Sequence, residues 1–312
     1  MMDPDLLYAP HYRNGRFFCP WGEISPRFGD LLKWKLSGKS PYDRKKPLRI
    51  PVVQNDGVYL KDRGQPVSVT WVGHSSFAVQ DEGEVFLTDP HWGPRALVPP
   101  RLSPPGIPLA SVPEDAFAVL SHNHYDHLDT WTVRRLPRSI PWFAPLGLGK
   151  WLQNHGPSQV TELDWWQSAR HGRWTVTCLP AQHWSNRIGT ERNSTLWCGW
   201  LLDNGSRRYC FAGDSGYFHG FAEIGRRFGP IDVAFIPIGA YEPRWFMKYQ
   251  HIDPAEALQA FQDLGARHMV PMHWGAFDLT DEPAGLAPHV LKDAGADPER
   301  VHILAVGERW QP

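Results

Sequence analysis

The chain has 312 residues, of which 42% are hydrophobic and 21% charged, an ordinary composition for a folded protein that excludes a disordered one. Its 32 Lys and Arg nearly cancel its 33 Asp and Glu, leaving a formal charge of -1 and no basic tract suited to a nucleic-acid backbone, so no nucleic-acid partner is expected. Cys19, Cys178, Cys198 and Cys210 are widely spread with no Cys-x-x-Cys pair, which argues against a disulfide framework and against a zinc knuckle.

In chain order, Met1 to Asp5 lacks the basic and apolar segments of a signal peptide, and no apolar run is long enough to span a bilayer. The expectation is a soluble, cytoplasmic protein. Residues 1–66 are aromatic and rich in Pro and Gly, with weak periodicity, and read as an N-terminal extension packed irregularly on a main domain at 67–312. In that domain, Val67, Val69 and Trp71 alternate with Ser68, Thr70 and Val72 as in a strand. Phe77–Val79 and Val85–Leu87 flank the polar stretch from Gln80 to Glu84 as in a hairpin.

After a Pro-rich loop, Phe117 to Leu120 is an apolar run of buried-strand type that ends directly in Ser121-His122-Asn123-His124-Tyr125-Asp126-His127. Asp129 is placed to cap a short helix from Thr130 to Leu136. Three more strand patterns each end in a polar residue: Trp174–Leu179 before His183, Tyr209–Ala212 before Asp214, and Met269–Met272 before His273. Asp253-Pro254-Ala255-Glu256 has the form of a capped helix start, and Leu258, Phe261 and Leu264 give that helix an apolar stripe. Strands alternating with helices imply sheets packed under helices.

In an extended segment His122 and His124 project to one side and can share a metal ion, while Asp126 and His127 lie just beyond, where a turn aims them at a second. Imidazole and carboxylate are ligand types that zinc accepts, as do iron and manganese. His183 suits the first metal, His273 suits the second, and the two oxygens of Asp214 suit a bridge between them.

The segments SHNHYDHLD (Ser121–Asp129), ELDWW (Glu162–Trp166), FAGDSGY (Phe211–Tyr217), EIGRRFGP (Glu223–Pro230), IPIGAYEPRWFMKYQHID (Ile236–Asp253) and His273-Trp274-Gly275 together resemble the metallo-β-lactamase superfamily. Within it they resemble the phospholipases D that hydrolyse N-acylphosphatidylethanolamine. The resemblance runs from about Val67 to the C-terminus, with a looser echo at Gly15 to Trp21. Ser215 departs from it, standing where the family carries Thr.

It implies an α/β fold, an αββα sandwich of two mixed sheets flanked by helices. It also implies two divalent metal ions, zinc by preference: one on His122, His124 and His183, the other on Asp126, His127 and His273, with Asp214 bridging. A homodimer is a further implication. The expected reaction converts N-acylphosphatidylethanolamine at a membrane surface to N-acylethanolamine and phosphatidate. Asp126, Asp214 and His251 are the expected catalytic residues, with Asp126 orienting water and His251 donating to the phosphoryl oxygen or leaving group.

Asp89 and His74 are candidates to orient the ligands from behind. Tyr125, Tyr241 and Arg244 are candidate substrate contacts. Trp21, Trp34, Trp165, Trp166, Trp184 and Trp245 are candidates for an amphiphilic groove, although packing in the core accounts for most tryptophans. The alternative function is a metal-dependent hydrolase of a water-soluble lactone or cyclic phosphodiester. A non-catalytic scaffold is disfavoured because no ligand position is lost.

Overall fold

A computed structural model describes residues 4–22, 28–37, 42 and 48–312. Tyr12–Arg13 (β1) and Arg16–Phe17 (β2) form a small hairpin, and Phe28–Ser37 is a helix (α1). The sequence reading assigned no regular element before Val67, and part of that extension lies outside the described residues. Burial accounts for the difference. Leu7, Phe17, Cys19 and Trp21 enter the main core, so tertiary packing holds segments too short to carry a periodic signal.

Ser68–Gly73 (β3), Ser76–Asp81 (β4) and Glu84–Thr88 (β5) form an antiparallel meander. Phe117–Val119 (β6) then adds in parallel to β5. After Thr130–Val133 (α2), Trp142–Pro145 (β7) joins β6; after Gly149–His155 (α3), Val160–Leu163 (β8) joins β7, both in parallel.

The second sheet repeats the scheme. Ser168–His171 (β9), Trp174–Leu179 (β10), Gly199–Asp203 (β11) and Arg208–Phe211 (β12) are antiparallel. Past Gly220–Phe228 (α4), Ile231–Pro237 (β13) turns parallel. Past Arg244–Met247 (α5) and Pro254–Asp263 (α6), so does Ala266–Met272 (β14). Ala287–Asp293 (α7) precedes Arg309–Trp310 (β15), which returns to pair with β3.

The sheets face each other over an aromatic core in which Phe77 lies 4.6 Å from Phe235 and Phe86 lies 5.3 Å from Trp174, centroid to centroid. Along β4, Phe77 and Val79 enter that layer, while Ala78 points the other way into a separate apolar layer with Leu128, Val133 and Leu152. Both faces are therefore buried, which is why these strands read as nearly unbroken apolar runs. The architecture is the expected αββα sandwich.

Asp129 caps α2, accepting from Trp131 N at 3.1 Å and Thr132 N at 3.0 Å. The α-helix ends at Val133 rather than Leu136, where Thr132 O is shared between Arg135 N and Leu136 N, each at 2.9 Å, in a tightened last turn before Pro137. At α6 the full capping box forms between Asp253 and Glu256, with Pro at the first turn. The consequence for function lies at one rim of the sandwich. β6, β10, β12 and β14 all end there, and the polar residues that follow them converge.

Candidate metal centre

Asp89, at the end of β5, is completely buried and holds the start of the His-rich segment. Its Oδ1 accepts from Ser121 N at 2.6 Å, and its Oδ2 accepts from Ser121 Oγ and from His127 Nδ1, each at 2.6 Å. Because Nδ1 carries the proton, His127 presents Nε2 as a lone-pair donor. The same logic runs twice more. His122 Nδ1 lies 2.9 Å from Ser121 Oγ, and His183 Nδ1 lies 2.9 Å from the Gln250 carbonyl, so both point Nε2 inward.

The inward atoms form two groups, each spanning less than 4.8 Å: His122, His124, His183 and Asp214; and His74, Asp126, His127 and His273. Asp214 Oδ2 sits between them, 3.1 Å from His127 Nε2, 3.0 Å from His273 Nε2, and 3.8 Å from both His122 Nε2 and His183 Nε2. That is the placement a bridging carboxylate requires. Asp126 Oδ2 lies 3.4 Å from His127 Nε2, 3.3 Å from His273 Nε2 and 3.0 Å from His74 Nε2.

These residues fit a pair of metal ions. Nε2 of His127 and His273 and Oδ1 of Asp214 are buried and make no hydrogen bond of good geometry among the described residues, while His124 turns Nδ1 into the cluster, 2.8 Å from His122 Nε2 and 3.2 Å from His183 Nε2. Such unsatisfied groups cost about 1–3 kcal/mol each, and divalent cations accepting their lone pairs would remove that cost. Hard and borderline cations suit the set, which contains no thiolate.

Charge in the cluster sets its protonation. Burial lowers the pKa of His122 well below the usual imidazole range, with neighbouring imidazoles adding to the effect; burial likewise takes His124 to about 3 and His183 to about 4. Burial acts the same way on His273, but Asp214 and hydrogen bonds to Asp126 and Asp214 outweigh it and raise the pKa to about 9. At His127, burial is likewise outweighed by Asp214, Asp126 and Asp89. In the metal-free protein His127 and His273 thus each hold a second proton, positive charge that balances the carboxylates of Asp89, Asp126 and Asp214 and that bound metal would replace.

A cavity of about 590 Å³ opens over the cluster. One wall is apolar, with Leu31 and Trp34 from α1, Phe246 and Met247 from α5, and Leu279. The other carries Asn186, Arg187 and Arg192. His251 lies on the wall with Nδ1 3.9 Å from Asp214 Oδ2 and no hydrogen bond on that atom among the described residues; burial holds its pKa well below the usual range, so it is a neutral group. Tyr125 also lines the cavity, its hydroxyl accepting from Ile188 N at 3.1 Å.

Two expected substrate contacts lie off the cavity wall. Arg244 is absent from the cavity wall. Its guanidinium donates to the His251 carbonyl at 2.9 Å and to Glu256 Oε2 at 2.8 Å, tying α5 to the start of α6. Tyr241 is 4% exposed and also lies off the wall, its backbone N–H held by the buried carboxylate of Glu282. Both make contacts that hold the loop.

His74, expected only as support, falls within ligand range of the second group. Of the six tryptophans, Trp34 and Trp184 reach the cavity. Trp21 and Trp165 stack in the core at 5.3 Å, and Trp166 stacks on Tyr8. Trp245 is exposed under Lys33.

Comparison with known proteins agrees with this geometry. The family profile described as "Beta-lactamase superfamily domain" matches residues 84–274. An N-acyl-phosphatidylethanolamine-hydrolyzing phospholipase D 1 of Caenorhabditis elegans is 41% identical, covering 98% of this chain and 96% of its own length. An uncharacterized protein of Mycobacterium tuberculosis is 36% identical over 97% of this chain and 85% of its own. Igni18, a metallo hydrolase of Ignicoccus hospitalis, shares the fold at a TM-score of 0.58 and 23% identity, covering 78% of this chain and 97% of its own. The chain therefore belongs to the metallo-β-lactamase superfamily, as a metallo-hydrolase related over nearly its whole length to N-acylphosphatidylethanolamine-hydrolysing phospholipase D.

Proposed function

We propose that this metallo-hydrolase is a phosphodiesterase of phospholipase D type, cleaving N-acylphosphatidylethanolamine to N-acylethanolamine and phosphatidate with two divalent ions, zinc by preference. The observation that carries this reading is an apolar-walled cavity opening directly onto the paired ligand groups, in a chain collinear with a relative named for that reaction. When bound by the two ligand groups, with Asp214 between them, the ions would supply Lewis acidity toward the phosphoryl group and lower the pKa of water.

The protein's own groups divide the remaining work. Asp126, at the edge of the cluster and on the cavity wall, is placed to accept a hydrogen bond from the attacking water and orient it. Neutral His251 is placed to donate to a phosphoryl oxygen or to the departing oxygen. Arg187 and Arg192 give one wall a positive potential that favours a phosphodiester, while Leu31, Trp34, Phe246 and Leu279 take up acyl chain.

The cavity mouth supports a membrane surface as the source of substrate. Ile188 is 78% exposed, and Leu31 and Leu97 are also exposed on the cavity wall; Val98 at 71% and Leu36 at 74% extend the same segments. Lys33 and Lys248 lie over Trp245 and Tyr249, bringing cations to the neighbouring surface. No helix among the described residues is long and apolar enough to cross a membrane. Purified zinc-loaded protein should release N-acylethanolamine from vesicles containing N-acylphosphatidylethanolamine and should sediment with them. Turnover confined to soluble phosphodiesters or lactones, without vesicle binding, would overturn the reading.

A further inference from the structure

Arg187 is 7% exposed, yet the three acceptors of its guanidinium are all uncharged. Nη1 donates to the carbonyls of Asn123 at 3.0 Å and Leu128 at 2.9 Å, and Nη2 donates to Thr130 Oγ1 at 2.9 Å. The cation also lies over the rings of Tyr125 at 4.1 Å and Trp151 at 4.9 Å. Among the described residues it makes no ion pair with a carboxylate. Burying a cation costs several kcal/mol, and neutral acceptors with two aromatic faces offset only part of that. A loop residue kept in such a setting calls for a role.

The acceptors show what the role is. Asn123 and Leu128 flank the run His124 to His127, and Thr130 opens the helix that follows it. Two adjacent contacts repeat the pattern, since Asn186 N donates to Asn123 Oδ1 at 2.9 Å and Ile188 N donates to Tyr125 Oη at 3.1 Å. Asn123 and Tyr125 are the two spacer positions within His122–His127. Both spacers thus dock on residues 186–188, just downstream of His183 on the opposite sheet.

We propose that Arg187 is a positioning residue of the metal centre: it fixes the backbone presenting His124, Asp126 and His127 and locks it to the segment carrying His183. This rests on the two-metal reading. The sheets contribute ligands from separate stretches of chain, and Arg187 is the cross-brace that holds the two stretches in register.

The test is zinc titration of metal-free protein against a chromophoric chelator, with the metal alone as probe. Arg187→Lys keeps the charge, but one nitrogen cannot span three acceptors or stack as a planar fork. Arg187→Met keeps an apolar stem. Wild type is expected to bind two zinc ions, and both variants to bind them about 10- to 100-fold more weakly, with Lys no better than Met. Wild-type affinity in Arg187→Lys would overturn the positioning role, since charge alone would then suffice. Should both Arg187 variants fail to fold, Thr130→Val removes one acceptor: a several-fold loss of zinc affinity supports the inference, and an unchanged affinity overturns it. A wild-type protein that takes up no zinc would overturn the two-metal reading and this inference together.

Discussion

Asp89 and His127 share a 2.6 Å hydrogen bond, Oδ2 accepting from Nδ1, with both side chains completely buried. The same carboxylate holds the backbone and hydroxyl of Ser121. One residue outside both four-residue groups thereby fixes both the tautomer of one candidate ligand and the start of the segment carrying four of them. Asp89→Ala is expected to weaken zinc binding by about 10- to 100-fold, while leaving the far-UV circular dichroism spectrum in place. Competition with a chromophoric chelator checks it, and an unchanged affinity would show that His127 is oriented by packing alone.

Asp214 supplies the oxygen nearest to both ligand groups. Asp214→Asn keeps the shape but removes a negative charge and puts an amide where an oxygen is required. Loss of at least one metal per chain and a fall in kcat of about 10²-fold or more are expected. Elemental analysis beside turnover separates the two effects. Intact metal content with intact turnover would rule out the bridge.

Removing metal should loosen the whole domain, since the ligands come from the ends of β6, β10, β12 and β14. Binding in thousand-fold excess over Kd contributes about 4 kcal/mol per site, which for a domain of this size raises Tm on the order of 10 °C. Melting with and without chelator measures it. A Tm insensitive to chelation would mean that the sandwich stands without its centre.

The metal-free protein should respond to pH in a particular direction. The His273 pKa is raised to about 9, because Asp214 and Asp126 outweigh the effect of burial. A raised pKa means that the proton stabilises the folded state fully below the ordinary value near 6.5 and that this stability is lost as pH rises through about 9. Chelated protein should therefore lose Tm between these limits. Loaded protein should hold its Tm, since bound metal requires His273 in its neutral form. Metal uptake at neutral pH should also release protons, which calorimetry in buffers of different ionisation enthalpy detects.

Ile188 tests the membrane face. Burying an isoleucine side chain is worth about 1.5–3 kcal/mol, so Ile188→Asp should weaken vesicle partitioning by about tenfold or more. Turnover of detergent-dispersed lipid should change much less. Equal losses in both assays would place Ile188 in the substrate path instead.

The convergence of the candidate ligands was legible in the sequence because each follows a strand, and strand ends in a two-sheet sandwich are forced to one rim. The capping box at Asp253 and Glu256 was legible for a similar reason, since it needs only local spacing. Arg187 was not: an arginine in a polar loop reads as a surface residue, and its acceptors Asn123 and Thr130 are distant in sequence. Arg244 is the opposite case. Its place in a stretch resembling the phospholipases D suggested a phosphate contact, but a carboxylate of the adjacent capping box, Glu256, takes its charge. The hairpin of β1 and β2 and helix α1 left no periodic trace, because the main core holds the first and contacts such as Trp34 Nε1 to Asp281 Oδ2 at 3.0 Å hold the second.

The division of ligands between the sheets has a consequence for how the chain comes together. His122 to His127 are in place once β3 to β8 of the first sheet have paired, but His183, Asp214 and His273 arrive only with the second. During synthesis the N-terminal half can offer a cation at most a partial set, so tight capture has to wait until the last ligand strand, β14, has docked. The centre is thereby a checkpoint on completed folding, and a truncated or misassembled chain would fail to retain the metal on which its chemistry depends.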